Sequence, residues 1–531
     1  MKKYKNYFIN LICPAFVFGT VTGILTAIVV TLYKFCAMRI IDLSERGYEL
    51  LNERPYLIPI ALIALFVVAV GYAICYKKWP KIRGGGIPMS IGVLRGIITL
   101  KWLRNLLGTF FLSLGTFLIG VPLGNEGPSV QMGTAIGRGC ILPFSKKHRA
   151  WDRYSMTGGA CAGFSTATGA PISGIMFAIE EAHQRISPMI IIVSCFSVFS
   201  ARITTEFIAP IMGVSIDLFP ELSIVHLTVK EIWIPLIIGI AMGLFAVLFL
   251  KLYKLINTLI NKKLKKIARQ YKIFAVFTLT LVLGLVSYSF ISTGHHLILD
   301  LFEGNSAIYM LVLILIARSV LMLCANSSGI TGGIFLPILS LGALISSLLG
   351  RMIQETLGLD HDYYVVILIF GITACISSMM KTPLTAIFFA VEALSCYNNI
   401  IYVIAVSAIA FVITEVFEAK SIPDTVLDAR VEEQNEGKEK KVIDTFVTVQ
   451  KNAFAIDKQI RDIFWPSNLF VLSLKHDETK KAEVDEHGGK EIREGDILHV
   501  RYSTYDESAT REELFAIVGE QSIDETETDI I

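Results

Sequence analysis

Gly124-Asn125-Glu126-Gly127-Pro128 comes just after twenty almost wholly apolar residues, 103–122, so a carboxylate stands at the end of a stretch long enough to cross a bilayer. A charge near that depth costs about 3 kcal/mol on insertion scales, which makes an ionisable group there a functional candidate. Gly127 lets backbone approach a ligand closely, and Pro128 suits the first turn of the helix that Ser129-Val130-Gln131-Met132 continues. The predicted helix therefore begins at the acid. Its free N–H groups and positive dipole end face Glu126, and they attract a diffusible anion for the same reason. Competition between a side-chain carboxylate and a free anion for one set of amide donors is a physical basis for anion gating or anion–proton coupling. On these residues alone, the alternative is a carboxylate that caps a helix at the membrane interface.

Composition extends the membrane reading to most of the chain. Of 531 residues, 53% are hydrophobic and 18% charged, and the mean hydropathy is +0.60. These values lie outside the range of soluble globular proteins. Apolar stretches recur at about 8–33, 57–76, 103–122, 155–179, 189–209, 233–260, 273–292, 306–324, 332–350, 363–377, 383–396 and 400–417. A perpendicular span needs ~20 apolar residues, so the shorter stretches, interrupted by Gly and Pro, read as broken or re-entrant helices lining a polar cavity. The expectation is an all-α polytopic membrane protein in the cell membrane.

Lys and Arg cluster in short loops: Lys2-Lys3-Lys5, Lys77-Lys78-Lys81-Arg83, Lys146-Lys147-Arg149-Arg153 and Lys262-Lys263-Lys265-Lys266-Arg269-Lys272. The positive-inside rule places these loops, and both termini, in the cytoplasm. Met1-Lys2-Lys3 before a long apolar run is signal-like, but no small-residue cleavage site follows, and the segment reads as retained. The nine cysteines lie in or near apolar segments without a CxxC pair, and no His cluster has ligand spacing. They read as reduced core residues, so no disulfide framework, metal or cofactor is expected, nor a nucleic-acid partner.

The two halves repeat. Residues 159–181 align with 371–393 at a constant offset of 212, with identities at Gly159/Gly371, Ala162/Ala374, Ser165/Ser377, Pro171/Pro383, Ile175/Ile387, Phe177/Phe389, Ala178/Ala390 and Glu180/Glu392. The loop 124–128 likewise matches 333–337, and Gly133 matches Gly342. In transporters built from repeats, half-helix N-termini converge near the bilayer midplane around an ion site.

Three loops, Gly84-Gly85-Gly86-Ile87-Pro88, Gly124-Asn125-Glu126-Gly127-Pro128 and Gly332-Gly333-Ile334-Phe335-Leu336-Pro337, resemble in sequence and order the signature loops of the CLC chloride channels and transporters. The resemblance covers roughly residues 1–430. It implies an inverted-repeat fold with halves of about 1–215 and 230–420, and a homodimer in which each subunit holds its own anion pathway. By position it makes Glu126 the gating glutamate, which blocks an anion site when ionised and swings away when protonated. The backbone around Gly85, Gly86, Ile87, Asn125, Gly127, Ile334 and Phe335 is implied to line the anion site. Relatives that exchange protons carry a second acid on the cytoplasmic side, and Glu181 falls there. Glu180 is the weaker candidate for that proton route, because its repeat partner Glu392 suggests a structural role common to both halves. A solvated acid near Arg185 is the alternative reading of Glu181.

Three positions depart from the family pattern. A serine hydroxyl and a tyrosine hydroxyl that hold the central anion in many members are replaced by Gly85 and Pro423, and Asn125 stands where arginine is commoner. Loss of two donors predicts weak discrimination between chloride and other small anions. Asn125 is similar to the fluoride-exporting branch, but Gly85 is not, so chloride leads with fluoride and nitrate as alternatives. The function expected is exchange of a small monovalent anion for protons, with a passive gated channel as runner-up. An enzyme is not expected, since no nucleophile–base constellation, HExxH or phosphate-cradling loop appears.

Beyond Phe417 the composition turns polar. Residues 421–441 read as a charged linker, 442–519 as a small α+β cytoplasmic domain and 520–531 as an acidic disordered tail. Strands are expected at 446–449, 469–474 and 497–502, with helical pattern at 457–464 and 511–518. Glu494-Gly495-Asp496 before a strand resembles the TrkA-C regulatory domain of prokaryotic transporters. That domain would either sense an unidentified small-molecule ligand or brace the dimer.

Overall fold

The computed structural model describes residues 12–143, 150–222, 224–304, 306–358, 360–476 and 488–520. The Lys2-Lys3-Lys5 and Lys146-Lys147-Arg149 clusters and residues 521–531 lie outside the described residues. Helices α1 (Cys13–Glu53), α2 (Ile58–Lys78), α3 (Ile87–Leu94), α4 (Trp102–Ile119), α5 (Glu126–Ile141), α6 (Asp152–Thr168), α7 (Pro171–Phe177) and α8 (Pro188–Met212) form the first half. The second comprises α9 (Trp233–Thr258), α10 (Arg269–Val286), α11 (His295–Glu303), α12 (Ile308–Ser328), α13 (Phe335–Leu357), α14 (His361–Met380), α15 (Pro383–Ala393) and α16 (Ile400–Val416). Among the described residues, ten helical segments are long and apolar enough to cross a membrane. Lipid-facing character is plainest on α2, where Ile60, Ile63, Val67 and Ile74 are each more than 60% exposed, because an apolar surface facing hydrocarbon loses nothing by exposure.

The short elements explain why sequence hydropathy undercounts the helices. The apolar stretch 155–179 breaks into α6 and α7 at Gly169, which has φ +74° and is followed by Ala170-Pro171. Helices α3 and α11 have only 8 and 9 residues, too few to register as spans. Conversely, α1 runs 41 residues, well beyond the expected 8–33, since its polar C-terminal half continues the helix outside the apolar window.

The repeat is a three-dimensional one. A Cβ built at Gly133 would stand 2.0 Å from the Gly159 carbonyl oxygen, and one at Gly159 equally close to the Gly133 oxygen. At the matching crossing of α13 and α14, Gly342 and Gly371 meet each other's carbonyl oxygens at 2.8 and 3.0 Å. The paired glycines are therefore the ones that let α5 and α6, and α13 and α14, touch backbone to backbone.

The expected linker needs correction. Residues 422–434 form a helix, α17 (Ile422–Gln434), started by Pro423 in its first turn and by Ser421 Oγ accepting from the Asp424 N–H at 3.1 Å. Its Glu433 gathers arginines from the membrane part and from the helix itself: Arg83 donates to both Glu433 oxygens at 2.9 and 2.5 Å, while Arg269 and Arg430 reach the same carboxylate at 3.3 and 3.2 Å. The polar composition that reads as linker reports ion pairs with the membrane part. Only a short stretch separates α17 from the tail sheet of β1 (Lys441–Thr448), β2 (Leu469–Lys475) and β3 (Ile497–Thr504). That sheet is antiparallel, ordered β1-β3-β2 and backed by α18 (Glu507–Val518). The helix expected at 457–464 is also corrected. Asp457 has φ +61°, and the amides of Asp457, Ile460 and Arg461 donate to the carbonyls of Ile492, Lys490 and Gly488, leaving a single short turn at Ile460–Asp462.

Candidate functional site

Three glycine-bearing loops meet in the interior. Gly124 and Gly333 exchange both backbone hydrogen bonds, each at 2.7 Å, which ties the start of α5 in one half to the start of α13 in the other. A Cβ on Gly127 would lie 2.3 Å from the Gly85 carbonyl oxygen and 2.6 Å from Gly333 Cα, and one on Gly86 would lie 2.2 Å from the Gly127 oxygen. Nothing larger than glycine fits at these approaches. Gly86 also has φ +73°, a conformation that L side chains avoid. Gly85, Gly86, Ile87, Gly127, Ile334 and Phe335 are thereby brought together, all buried, with Asn125 partly exposed at the rim. Helices α3, α5 and α13 begin at Ile87, Glu126 and Phe335, so three sets of N-terminal amides and three positive dipole ends converge there.

Glu126 is the first residue of α5 and fully buried. Neither carboxylate oxygen has a hydrogen-bond partner among the described residues. The N–H groups of Glu126 itself and of Leu336, at the head of α13, are turned toward it without closing a bond, and Lys34 of α1 acts on it through space. Space for the carboxylate exists because position 124 lacks a side chain: a Cβ there would lie 2.4 Å from Glu126 Oε2.

Glu181 lies in a widened π turn, Ala178–Ala182, that ends α7, and is 5% exposed with Oε1 unpartnered. Such turns recur at functional positions. Arg95, just past α3, clamps the turn from below by donating to the carbonyls of Glu181 and Ala182 at 2.8 and 3.0 Å and approaching Asp424 at 3.4 Å. Arg185 is turned away: it donates to the Ile463 carbonyl and lies 4.5 Å from the Phe464 ring centroid.

Glu180 points elsewhere. Its oxygens accept from the N–H groups of Leu384 and Thr385 at 2.9 and 2.8 Å and from Thr385 Oγ1 at 2.9 Å, capping α15. Glu392 accepts from Ile172 and Ser173 at 2.8 and 2.9 Å, capping α7. Each half thus caps a helix of the other. Replacing Glu180 by Ala is expected to lower the unfolding free energy by on the order of 2 kcal/mol, through lost charge-assisted bonds; thermal unfolding in detergent measures it, and an unchanged midpoint would contradict the cap.

The tail touches the membrane part beside Glu181. Phe464 is wedged against Tyr154 and His183, with ring centroids 4.3 and 4.4 Å away, and beneath the guanidinium of Arg153 at 4.9 Å. Arg153 donates to the Trp465 carbonyl at 2.6 Å, and Tyr154 Oη to the Asp462 carbonyl at 2.7 Å. The sequence does not announce this contact, as a lone aromatic in a turn carries no signal of its target.

Residues 66–415 match the family model described as voltage gated chloride channel. The chain belongs to the CLC family. Curated CLC relatives include the H(+)/Cl(-) exchange transporter ClcA of Vibrio vulnificus, strains YJ016 and CMCP6, each 28% identical over 420 residues, covering 77% of this chain and 88% of the relative. Among solved CLC structures, a slow cyanobacterial Cl-/H+ antiporter superposes with TM-score 0.70 at 24% identity, over 80% of this chain and 99% of the other. A CLC-type fluoride/proton antiporter gives 0.64 at 20% identity, over 78% and 97%. These likenesses fix the CLC fold of the membrane part; the matched family segment ends before α17 and the tail.

Proposed function

We propose that this protein exchanges a small monovalent anion, chloride first, for protons across the cell membrane. The observation that carries the proposal is the buried, unpartnered carboxylate of Glu126, held where α5 and α13 converge. Ionised, it occupies the place of an anion among helix N-terminal amides; protonated, it no longer competes for them and the anion enters. Weak binding by neutral dipoles suits turnover, since a fully charged partner would trap the anion. Glu181 passes protons from the cytoplasm along a route separate from the anion's, while Glu180 serves as a cap. A second buried acid on that side has no use in a passive channel, which makes exchange the better reading. The Vibrio vulnificus relatives, which are H(+)/Cl(-) exchange transporters, agree with it.

The basic loops support cytoplasmic termini. Lys262, Lys265 and Arg269 pair with Glu432, Glu436 and Glu433 of the α17 region, and Arg83 joins them, so the positive loops and the tail share one end of the molecule. The protein functions as a homodimer with one pathway per subunit. Its tail, TrkA-C-like in pattern, steadies the turn that carries Glu181. Removing the wedge, Phe464→Ala, is expected to slow proton transport several-fold more than anion transport, and to cost about 3 kcal/mol of docking. Parallel proton and anion fluxes from liposomes check this, and equal slowing of both would argue against it.

The test of the whole reading is reconstitution. Purified protein in liposomes should move protons uphill when driven by an anion gradient. Anion flux without proton movement would favour the channel.

A further inference from the structure

Asn326 lies in the last turn of α12 and is 3% exposed, yet neither its Nδ2 nor its Oδ1 has a hydrogen-bond partner among the described residues. Leaving a buried amide unsatisfied costs about 1–3 kcal/mol, so such a group in a well-packed interior calls for an occupant beside it. Its position says which one. A Cβ built on Gly85 would lie 3.7 Å from Asn326 Oδ1 and 3.5 Å from Ile334 Cγ2, so the amide faces the gap between two of the loops that line the anion site. This is the gap left by the serine hydroxyl that Gly85 lacks, and Pro423, in the first turn of α17, offers no hydroxyl either.

The surrounding charge is positive. Arg430 Nη2 stands 3.3 Å from a Cβ built on Gly84, and a Cβ on Gly329 would lie 2.7 Å from Arg430 Nη2 and 3.0 Å from Arg83 Nε. Gly329 in turn donates its N–H to the Asn326 carbonyl at 3.0 Å. Arg83 and Arg430 are 6% and 8% exposed and share the carboxylate of Glu433, which leaves an excess of positive charge behind the site and favours an anion over a cation there.

We propose that Asn326 is a side-chain ligand of the transported anion in this protein, its Nδ2 donating to a small monovalent anion in place of the missing serine and tyrosine hydroxyls. Rotation of the amide by half a turn exchanges Oδ1 and Nδ2 without changing its shape, so the donor reaches the same spot. The proposal rests on the exchange reading above and adds to it the residue that sets anion preference. It also gives Gly85 a meaning: a small residue there leaves room for the amide.

Gly85 is free of the positive φ that Gly84 and Gly86 adopt at +97° and +73°, and its built Cβ meets nothing nearer than 3.5 Å. Gly85→Ser is therefore a compatible rescue. Chloride binding to the full-length protein is measured by calorimetric titration in detergent, and chloride against nitrate flux in liposomes. Asn326→Ala is expected to weaken chloride binding about five-fold, the value of one neutral hydrogen bond, and to shift the flux ratio. Asn326→Ala with Gly85→Ser should recover most of both. The near-isosteric Asn326→Asp, which keeps the packing if Ala does not, should lose chloride binding at neutral pH. A folded Asn326→Ala or Asn326→Asp protein with the wild-type affinity and flux ratio overturns the assignment. Wild-type protein that binds no small anion would instead overturn the exchange reading itself.

Discussion

Glu126→Gln protein is expected to keep passing anions while proton transport falls to background, a loss of at least ten-fold in coupled proton flux. The substituted amide has the size of the protonated acid, so it fits the space that Gly124 leaves open, 2.4 Å from a Cβ there. It cannot ionise, and so it cannot alternate between occupying the amide cluster and leaving it. The side-chain amide of Gln keeps an oxygen for the N–H groups of Glu126 and Leu336 that face the carboxylate, so the fold should stand. Simultaneous recording of chloride efflux and proton uptake in liposomes separates the two activities. Anion-driven proton pumping by the mutant would remove Glu126 from its proposed role.

The second large effect is expected at Glu181. Glu181→Gln should abolish proton transport and leave anion movement within a few-fold of the wild type, because the residue lies off the three glycine-bearing loops, in the π turn held by Arg95. Its neighbour supplies the control. Glu180→Gln keeps an oxygen able to accept from the Leu384 or Thr385 N–H, so coupling should survive with some loss of stability. Fully coupled Glu181→Gln protein would point to a different relay or to a channel. Uncoupling by Glu180→Gln alone would reverse the roles of the two acids.

Legibility followed the range of the physics involved. Glu126 was visible because a carboxylate beside a bilayer-length apolar run is costly wherever the chain goes next. The repeated glycines, Gly159/Gly371 at an offset of 212 and Gly133/Gly342 at 209, were visible because two copies of one helix crossing need the same small residues. Hydropathy located the long helices, whereas α3 and α11 escaped it by being short, and α17 by being polar.

By itself, then, the sequence determined the membrane class, the repeat, the three loops and the acid at the head of α5, since each is written in local composition and spacing. Tertiary structure alone decided what those parts meet. It turned Glu180 and Glu392 into caps on each other's half, made residues 422–434 a helix pinned by Arg83, set Phe464 under the turn that holds Glu181, and aimed an unsatisfied Asn326 at the gap beside Gly85. The physical reason is that a hydrogen bond or ion pair between residues hundreds of positions apart depends on where the backbone carries them, and neither partner's neighbours in sequence encode that meeting.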